Sequence, residues 1–355
     1  MKIFLIIPTL ASGGAERVMS ELANEFFRQN HEVHLVLLAK SEDFYSIYPS
    51  IRVHRLNFIN KGKLKKILLE INTFLKLYKI LKAEKPHAVL SFMEKYNLIT
   101  IVASRFLRLK VFISDRSNPQ KKIPLTIRVL KKVMYRFATG IVAQTSLAKN
   151  ILVKTTGNKN ITIIANPLKP IKFHPEISRE KIILNIGRLV PEKGQKYLLY
   201  AFSNIQYTDW KLFILGDGPL RSELINLAEK LKIANNLYMP GEVKKIDEWL
   251  AKASIFAFPS VSEGFPNALA EAMAAGLPCV SFDCNAGPRD IIKNSKNGFL
   301  VSLYNSREFA QKLRILIDNP KLRLSIGVQA KYIQNHLEIS KIAGEYISFF
   351  REKQN

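Results

Sequence analysis

Two carboxylates eight residues apart, Glu263 and Glu271, bracket a segment suited to holding an anion. The run Phe256–Phe282, FAFPSVSEGFPNALAEAMAAGLPCVSF, reads as a buried strand (Ile255–Pro259), a loop with Gly and Pro, a helix over 267–275 and a second strand (Pro278–Phe282). Pro266 suits the first helical turn, where its missing N–H is no loss. The amides of Asn267, Ala268 and Leu269 are expected to point free from the helix end. Such an end combines a positive partial charge with convergent donors, which fits a diphosphate. One turn rises about 5.4 Å, so with a diphosphate on the amides Glu271 is placed for a ribose and Glu263 for a sugar. Nucleotide sites commonly hold ribose hydroxyls with an acid. The Ala-rich face of the same helix would also pack on a sheet, and the two readings are compatible.

A second pair of charges follows another strand. Ile182–Gly187 runs into Gly187-Arg188-Leu-Val-Pro-Glu-Lys193-Gly. Arg supplies a planar donor fork and Lys a compact ammonium, and together they suit the charge that grows on a departing nucleoside diphosphate. A solvated basic turn is the plainer alternative. Ser12-Gly13-Gly14-Ala15-Glu16-Arg17 follows the first strand; glycine there lets backbone approach a ligand, although the loop lacks the full G-x-G-x-x-G pattern. No cluster has metal-ligand spacing, there is no D-x-D between strand and loop, and none of the six histidines stands in a catalytic setting.

The elements that must carry these residues alternate. Strands are expected at Ile3–Pro8, Val33–Leu38, Ala88–Phe92, Val111–Ser114 and Ile141–Ala143. A second series is expected at Ile182–Gly187, Lys211–Leu215, Leu237–Met239, Ile255–Pro259 and Cys279–Phe282. Helical patterns lie between them, including Ala15–Gln29 and Leu64–Glu84. Alternation at this spacing predicts α/β architecture with parallel sheets covered on both faces. At 355 residues the chain is long enough for two domains. The proline-bearing stretch 166–179 is the natural linker, and ligands are expected at the strand C-terminal ends, in a cleft between the halves. Hydrophobic content of 47% with 23% charged residues excludes a disordered chain. No apolar run approaches the roughly 18 residues of a membrane span. The apolar start before Pro8 reads as a strand rather than a signal peptide. Cys279 and Cys284 are too few and too close for a disulfide framework, which suggests a reduced, cytoplasmic setting.

The phrase SEGFPNALAEAMAAGLPCV resembles the signature of retaining glycosyltransferases of family 4, which have the GT-B fold of two Rossmann-like, doubly wound domains. Gly216-Asp217-Gly218-Pro219 matches the family's G-D-G-P turn, and Gly13 to Arg17 matches its G-G-A-E-R loop. The resemblance covers nearly the whole chain. It is nearest to bacterial members that add hexosamine units to polyprenyl-diphosphate-linked oligosaccharides. It implies an N-terminal acceptor-binding, membrane-facing domain over 1–168 and a C-terminal nucleotide-sugar-binding domain over 169–355. The last helix (about 331–351) would cross back to the first domain. Arg188, Lys193 and Glu263 take catalytic roles in this picture. Gly14, Gly187, Val243, Phe265, Pro266, Asn267, Ala268, Leu269 and Glu271 bind the donor, a nucleotide sugar whose commonest nucleotide is UDP. Gly13, Glu16 and Arg116 stand on the acceptor side. Arg116 takes the place of a histidine found in many relatives, so no histidine-based role is carried over. No cofactor or metal is expected, since Arg188, Lys193 and helix amides would neutralise the diphosphate.

The formal net charge of +25 is uneven. Residues 1–168 hold 28 Lys and Arg against 10 Asp and Glu, a balance of 28 − 10 = +18; residues 169–355 hold 26 against 19, or +7. Two basic stretches, Lys61–Lys85 and Arg105–Arg136, mix lysine and arginine with apolar residues in amphipathic patterns. Such segments can lie on an anionic bilayer, or they can be core helices with solvated basic faces. The expectation is a glycosyltransferase bound peripherally at the cytoplasmic face of the inner membrane, acting on a lipid-linked glycan acceptor. A non-hydrolysing sugar-nucleotide epimerase of the same fold is the alternative enzyme. A basic nucleic-acid-binding protein is the alternative of another class, but no stacking platform or helix-turn-helix supports it.

Overall fold

In the computed structural model two all-parallel sheets organise the chain. The structure describes residues 1–58, 63–121, 123–169, 171–172, 174–205 and 209–352, without the side chains of 58 and 63–69. The first sheet contains β1 (Lys2–Ile7), β2 (Glu32–Ala39), β3 (Arg52–Phe58), β4 (Ala88–Phe92), β5 (Val111–Ser114), β6 (Gly140–Ala143) and β7 (Ile161–Ile163). Their spatial order is β3-β2-β1-β4-β5-β6-β7. The second contains β8 (Ile182–Ile186), β9 (Lys211–Leu215), β10 (Leu237–Gly241), β11 (Ile255–Phe258), β12 (Cys279–Phe282) and β13 (Phe299–Val301), in the order β10-β9-β8-β11-β12-β13. Each order reverses direction once, between β1 and β4 and between β8 and β11. In doubly wound sheets that reversal opens a crevice at the strand C-terminal ends.

The chain divides into two compact units, one of residues 1–167 with 338–355 and one of residues 168–337. The first unit carries helices α1 (Gly14–Arg28), α2 (Lys63–Glu84), α3 (Glu94–Phe106), α4 (Leu125–Met134) and α5 (Ser146–Thr156). The second carries α6 (Gln195–Ser203), α7 (Arg221–Lys230), α8 (Ile246–Lys252), α9 (Asn267–Ala274), α10 (Pro288–Ile291), α11 (Ser306–Asp318), α12 (Pro320–Lys331) and α13 (Gln334–Leu337). The closing helix, α14 (Ile339–Arg351), belongs to the first unit. The long helix expected over 331–351 is therefore broken, and its continuous part begins at Ile339.

Central strands are mostly apolar because helices cover both faces, with single buried polar residues such as Ser91 of β4 and Asn185 of β8. Ile3 to Ile7 of β1 are fully buried, as are Val111 to Ile113 of β5. On α2, Leu77 and Leu81 are buried among Phe4, Ile6, Val36 and Val89 of the sheet, while Lys76, Lys79 and Lys82 are exposed. This basic stretch is thus a core helix with a solvated face; Lys61 lies outside the described residues, as does the side chain of Lys65. Helix α4 differs: none of its ten residues is buried. Helix α14 packs Tyr346 and Phe350 against Phe26 of α1, and Phe349 and Phe350 against Phe112 of β5.

Candidate functional site

In the second unit the site is assembled across the β8/β11 reversal. The amide of Gly187, at the exit of β8, donates to the Leu215 carbonyl (2.9 Å), and Leu189 donates to Asp217 (2.9 Å). The loop then makes one tight turn over Pro191–Lys193 and reaches Gly194, whose φ is +64°. A Cβ at Gly194 would lie 2.1 Å from the Pro259 carbonyl oxygen, so only glycine lets the loop close on the exit of β11. The amide of Val261 donates to the Glu192 carbonyl (2.9 Å) and fixes that approach. The consequence is an ion pair: Lys193 Nζ stands 2.7 Å from Glu263 Oε1, and Glu263 is only 9% exposed. The aliphatic stem of Lys193 lies over Gly187, where a Cβ would sit 3.5 Å from its Cδ. The Arg188 side chain is exposed and has no hydrogen-bond partner among the described residues. Its carbonyl accepts from Gln195 Nε2 (3.0 Å), a buried amide that no motif singles out.

Helix α9 starts beside this pair. Leu269, Ala270, Ala272, Met273 and Ala274 are buried, which is the packing expected of its Ala-rich face. Glu271 is half-buried, one turn beyond Asn267. The Asn267 amide is not free as expected: it donates to the Phe265 carbonyl at 3.0 Å, because the chain turns tightly at Pro266. The amides of Ala268 and Leu269 have no acceptor among the described residues. Phe265 and Pro266 are buried, and Gly287 (φ +99°) packs so closely that a Cβ there would fall 2.4 Å from Pro266 Cδ. That contact locks the loop after β12 onto the start of α9. Cys284, in the same loop, is buried and free, and burial pushes its thiol up to about 12. Val243, partly exposed, stands in the turn after β10. The G-D-G-P turn is structural: Gly216 (φ +131°) would place a Cβ 2.3 Å from the Gly187 carbonyl, and its amide donates to Gly241 (2.8 Å).

In the first unit Gly13 and Gly14 lie at the N-terminal end of α1, following β1. The Glu16 carboxylate folds back over Gly13, where a Cβ would sit 2.2 Å from Oε2, and burial raises the Glu16 pKa. Arg116 is not aimed outward. Its guanidinium stacks 3.7 Å from the Phe92 ring centroid, donates to Asn166 Oδ1 (2.5 Å) and to the Tyr346 hydroxyl, and ties the β5 loop to α14. Beside it, Asp115 accepts from Lys131 and from the Tyr135 hydroxyl, while Lys131 also reaches Glu94 (2.8 Å). Sequence spacing did not reveal this cluster, since its members come from three separate elements. One further grouping, Glu32, His34 and Glu84, gathers three potential metal ligands at the N-terminal edge of the sheet. The Lys2 ammonium lies 3.1 Å and 3.0 Å from its two carboxylates and already supplies a cation.

Residues 169–332 match the family described as Glycosyl transferases group 1, and residues 12–170 match Glycosyltransferase Family 4. The chain is 30% identical, over all of its length and 99% of the relative's, to a Campylobacter jejuni α-1,4-N-acetyl-D-galactosaminyltransferase. The full name of that enzyme gives GalNAc-α-(1→4)-GalNAc-α-(1→3)-diNAcBac-PP-undecaprenol as its acceptor. Among solved structures, a glycosyltransferase from Rickettsia africae superposes with a TM-score of 0.84 at 18% identity, covering 100% of this chain and 99% of that one. HepE from Anabaena, in complex with UDP, gives 0.83 at 19%, covering 99% and 100%. The chain belongs to glycosyltransferase family 4. It is a glycosyltransferase built on the two-domain GT-B fold, and its relatives include enzymes that act on undecaprenol-diphosphate-linked glycans. Among the described residues no helix is long and apolar enough to cross a membrane.

Proposed function

We propose that the enzyme moves a hexose or N-acetylhexosamine from a nucleotide sugar, a UDP-sugar, to a lipid-linked glycan acceptor in bacterial surface polysaccharide or glycan biosynthesis. It does so with retention of configuration, without a divalent cation, at the inner face of the membrane. The observation that carries the donor assignment is the Lys193–Glu263 pair, held at the β8/β11 reversal beside the start of α9. Arg188, Lys193 and the Ala268 and Leu269 amides supply the positive potential that a departing diphosphate needs. A bound diphosphate competes with Glu263 for the Lys193 ammonium and frees the carboxylate for donor-sugar hydroxyls. Glu271 holds the ribose. With the leaving group stabilised on the same face as the incoming hydroxyl, transfer proceeds front-side through an oxocarbenium-like state. The Campylobacter relative's undecaprenol-linked acceptor and the UDP complex of HepE support the two substrate classes. The basic balance of the first unit supports its acceptor role and an anionic membrane partner rather than nucleic acid.

The test is a panel of nucleotide sugars, read by thermal shift and by slow donor hydrolysis in the presence of a chelator. A UDP-sugar should raise the melting temperature of the wild type and not of Glu271→Ala. No response to any nucleotide sugar would remove the donor assignment, and isomerisation of the sugar on an intact nucleotide sugar with acceptor omitted would favour the epimerase.

A further inference from the structure

A cavity of about 410 Å³ opens in the second unit, beside the segments by which the chain enters that unit and leaves it. The entering segment lines it with Lys172, His174 and Arg179, and the leaving segment with Lys331 and Gln334. The two segments are fastened together, since the Leu168 amide donates to the Leu337 carbonyl (2.8 Å). The ends of α8 and α9 close the cavity with Ala251, Ala274 and Ala275. Helix ends of this kind carry negative partial charge, and Arg179 meets it. Its guanidinium donates to the carbonyls of Leu250 (3.2 Å), Ala253 (2.5 Å) and Ala275 (2.9 Å). Gln334 Nε2 does the same for Ala274 (2.8 Å).

The charge of the cavity is one-sided. Lys172, Arg179 and Lys331 all line it, and among the described lining residues the single carboxylate is Asp247, already engaged by His174 at 3.0 Å. Concave sites with apolar walls and a few convergent polar groups are the usual form of a small-molecule site. Arginine and lysine together suit a phosphate. The volume is many times the roughly 30 Å³ of one water, which leaves room for an organic body beside the anion. The donor site is elsewhere. Strands β8, β11 and β12 run parallel, and Arg179, Ala253 and Ala275 stand before them, whereas Arg188 and Glu263 follow β8 and β11. A strand of five residues spans about 17 Å, so the cavity and the donor site lie at opposite edges of the sheet.

We infer that this cavity is a second ligand site, which takes a phosphate-bearing small molecule and bridges the segments entering and leaving the second unit. The two lysines and Arg179 hold the phosphate, and the alanines at the ends of α8 and α9 meet the organic body. The inference is independent of the donor-site assignment.

The experiment is calorimetric titration of the full-length enzyme with phenyl phosphate at fixed physiological ionic strength, with saturating UDP present to fill the donor site. The wild type should bind with a Kd of about 1 mM or tighter. Lys172→Gln/Lys331→Gln should weaken binding at least about tenfold, the worth of one hydrogen bond to a charged group. Ala251→Glu, which puts a carboxylate into the cavity, should do the same. Arg188→Ala, on the donor loop, should bind like the wild type. Arg179 is kept intact because it fastens α8 and α9. No binding by the wild type overturns the inference, as does binding that the lysine variant and Ala251→Glu both leave unchanged. Binding lost in Arg188→Ala but kept in those two puts the phosphate in the donor site and also overturns it. Failure of UDP itself to bind would count against the donor assignment alone, since the cavity variants still decide this site.

Discussion

Arg188 and Lys193 share a loop but differ in what surrounds them, and that difference separates their predicted phenotypes. Arg188 is exposed and makes no side-chain hydrogen bond among the described residues, so Arg188→Ala should leave stability unchanged. Turnover should fall about 10²–10³-fold if the guanidinium stabilises the leaving diphosphate. Lys193→Met removes a charge and also strands Glu263, a nearly buried carboxylate, without its partner. Turnover should fall together with stability, the latter by about 1–3 kcal/mol. Steady-state kinetics with denaturant unfolding of both variants checks the contrast, and equal stability losses would contradict it. At this scale the closeness of Lys193 to Glu263 was expected from the strand-end loops that carry them, GRLVPEKG and SEGFPN. Gln195 and the Asp115–Lys131–Glu94 cluster were not, since their partners are set by tertiary contact. Arg116 shows the same limit: its Tyr346 partner is 230 residues away, and no spacing rule links them.

Elements, rather than side chains, hold the site in register. Gly194 is where the β8 loop touches the exit of β11, so Gly194→Ala meets both a positive φ and the Pro259 carbonyl. It should cost about 1–3 kcal/mol of stability and abolish nucleotide-induced thermal stabilisation. A variant with unchanged melting and unchanged UDP response would show that this loop is not what positions Lys193. A second clasp joins residues 174–179 to α8. His174 Nε2 lies 3.0 Å from Asp247 Oδ2, and Nδ1 lies 2.8 Å from Glu176 Oε1. The bond to Asp247 first, and that to Glu176 second, raise the His174 pKa above 6.5. The contribution is therefore complete below the unfolded value and lost as pH rises through the folded one. The melting-temperature gap between wild type and His174→Gln should shrink as pH rises above 6.5 and through the raised folded value; a gap that widens in that direction has the wrong sign. Central strands were readable in the sequence because burial on both faces writes a continuous apolar run. Of the edge strands β10 was expected, but three were not: β7 and β13 have three residues each, and β3 breaks its apolar pattern with Arg52, His54, Arg55 and Asn57. Two basic helical stretches looked alike in sequence, and only packing separated α2 from α4.

For the whole molecule the decisive feature is that α14 belongs to the first unit although the second lies between them in sequence. Phe350 is fully buried, with its ring centroid 4.6 Å from Phe112 and 6.3 Å from Phe26. Phe350→Ala should destabilise the first unit by about 3–5 kcal/mol. Both tryptophans, Trp210 and Trp249, lie in the second unit. Denaturant unfolding should therefore show a lowered midpoint by circular dichroism, with the fluorescence transition left in place. Identical shifts by the two probes would mean that α14 supports both units.

The return of α14 also imposes an order on synthesis. A ribosome that has finished residue 167 has produced every strand of the first sheet but not the helix that covers Phe26 and Phe112. At about 5–20 residues per second, that surface waits roughly ten to forty seconds while the second unit is made and can close on itself. Birth order and completion order are thus reversed: the half begun first is the half sealed last.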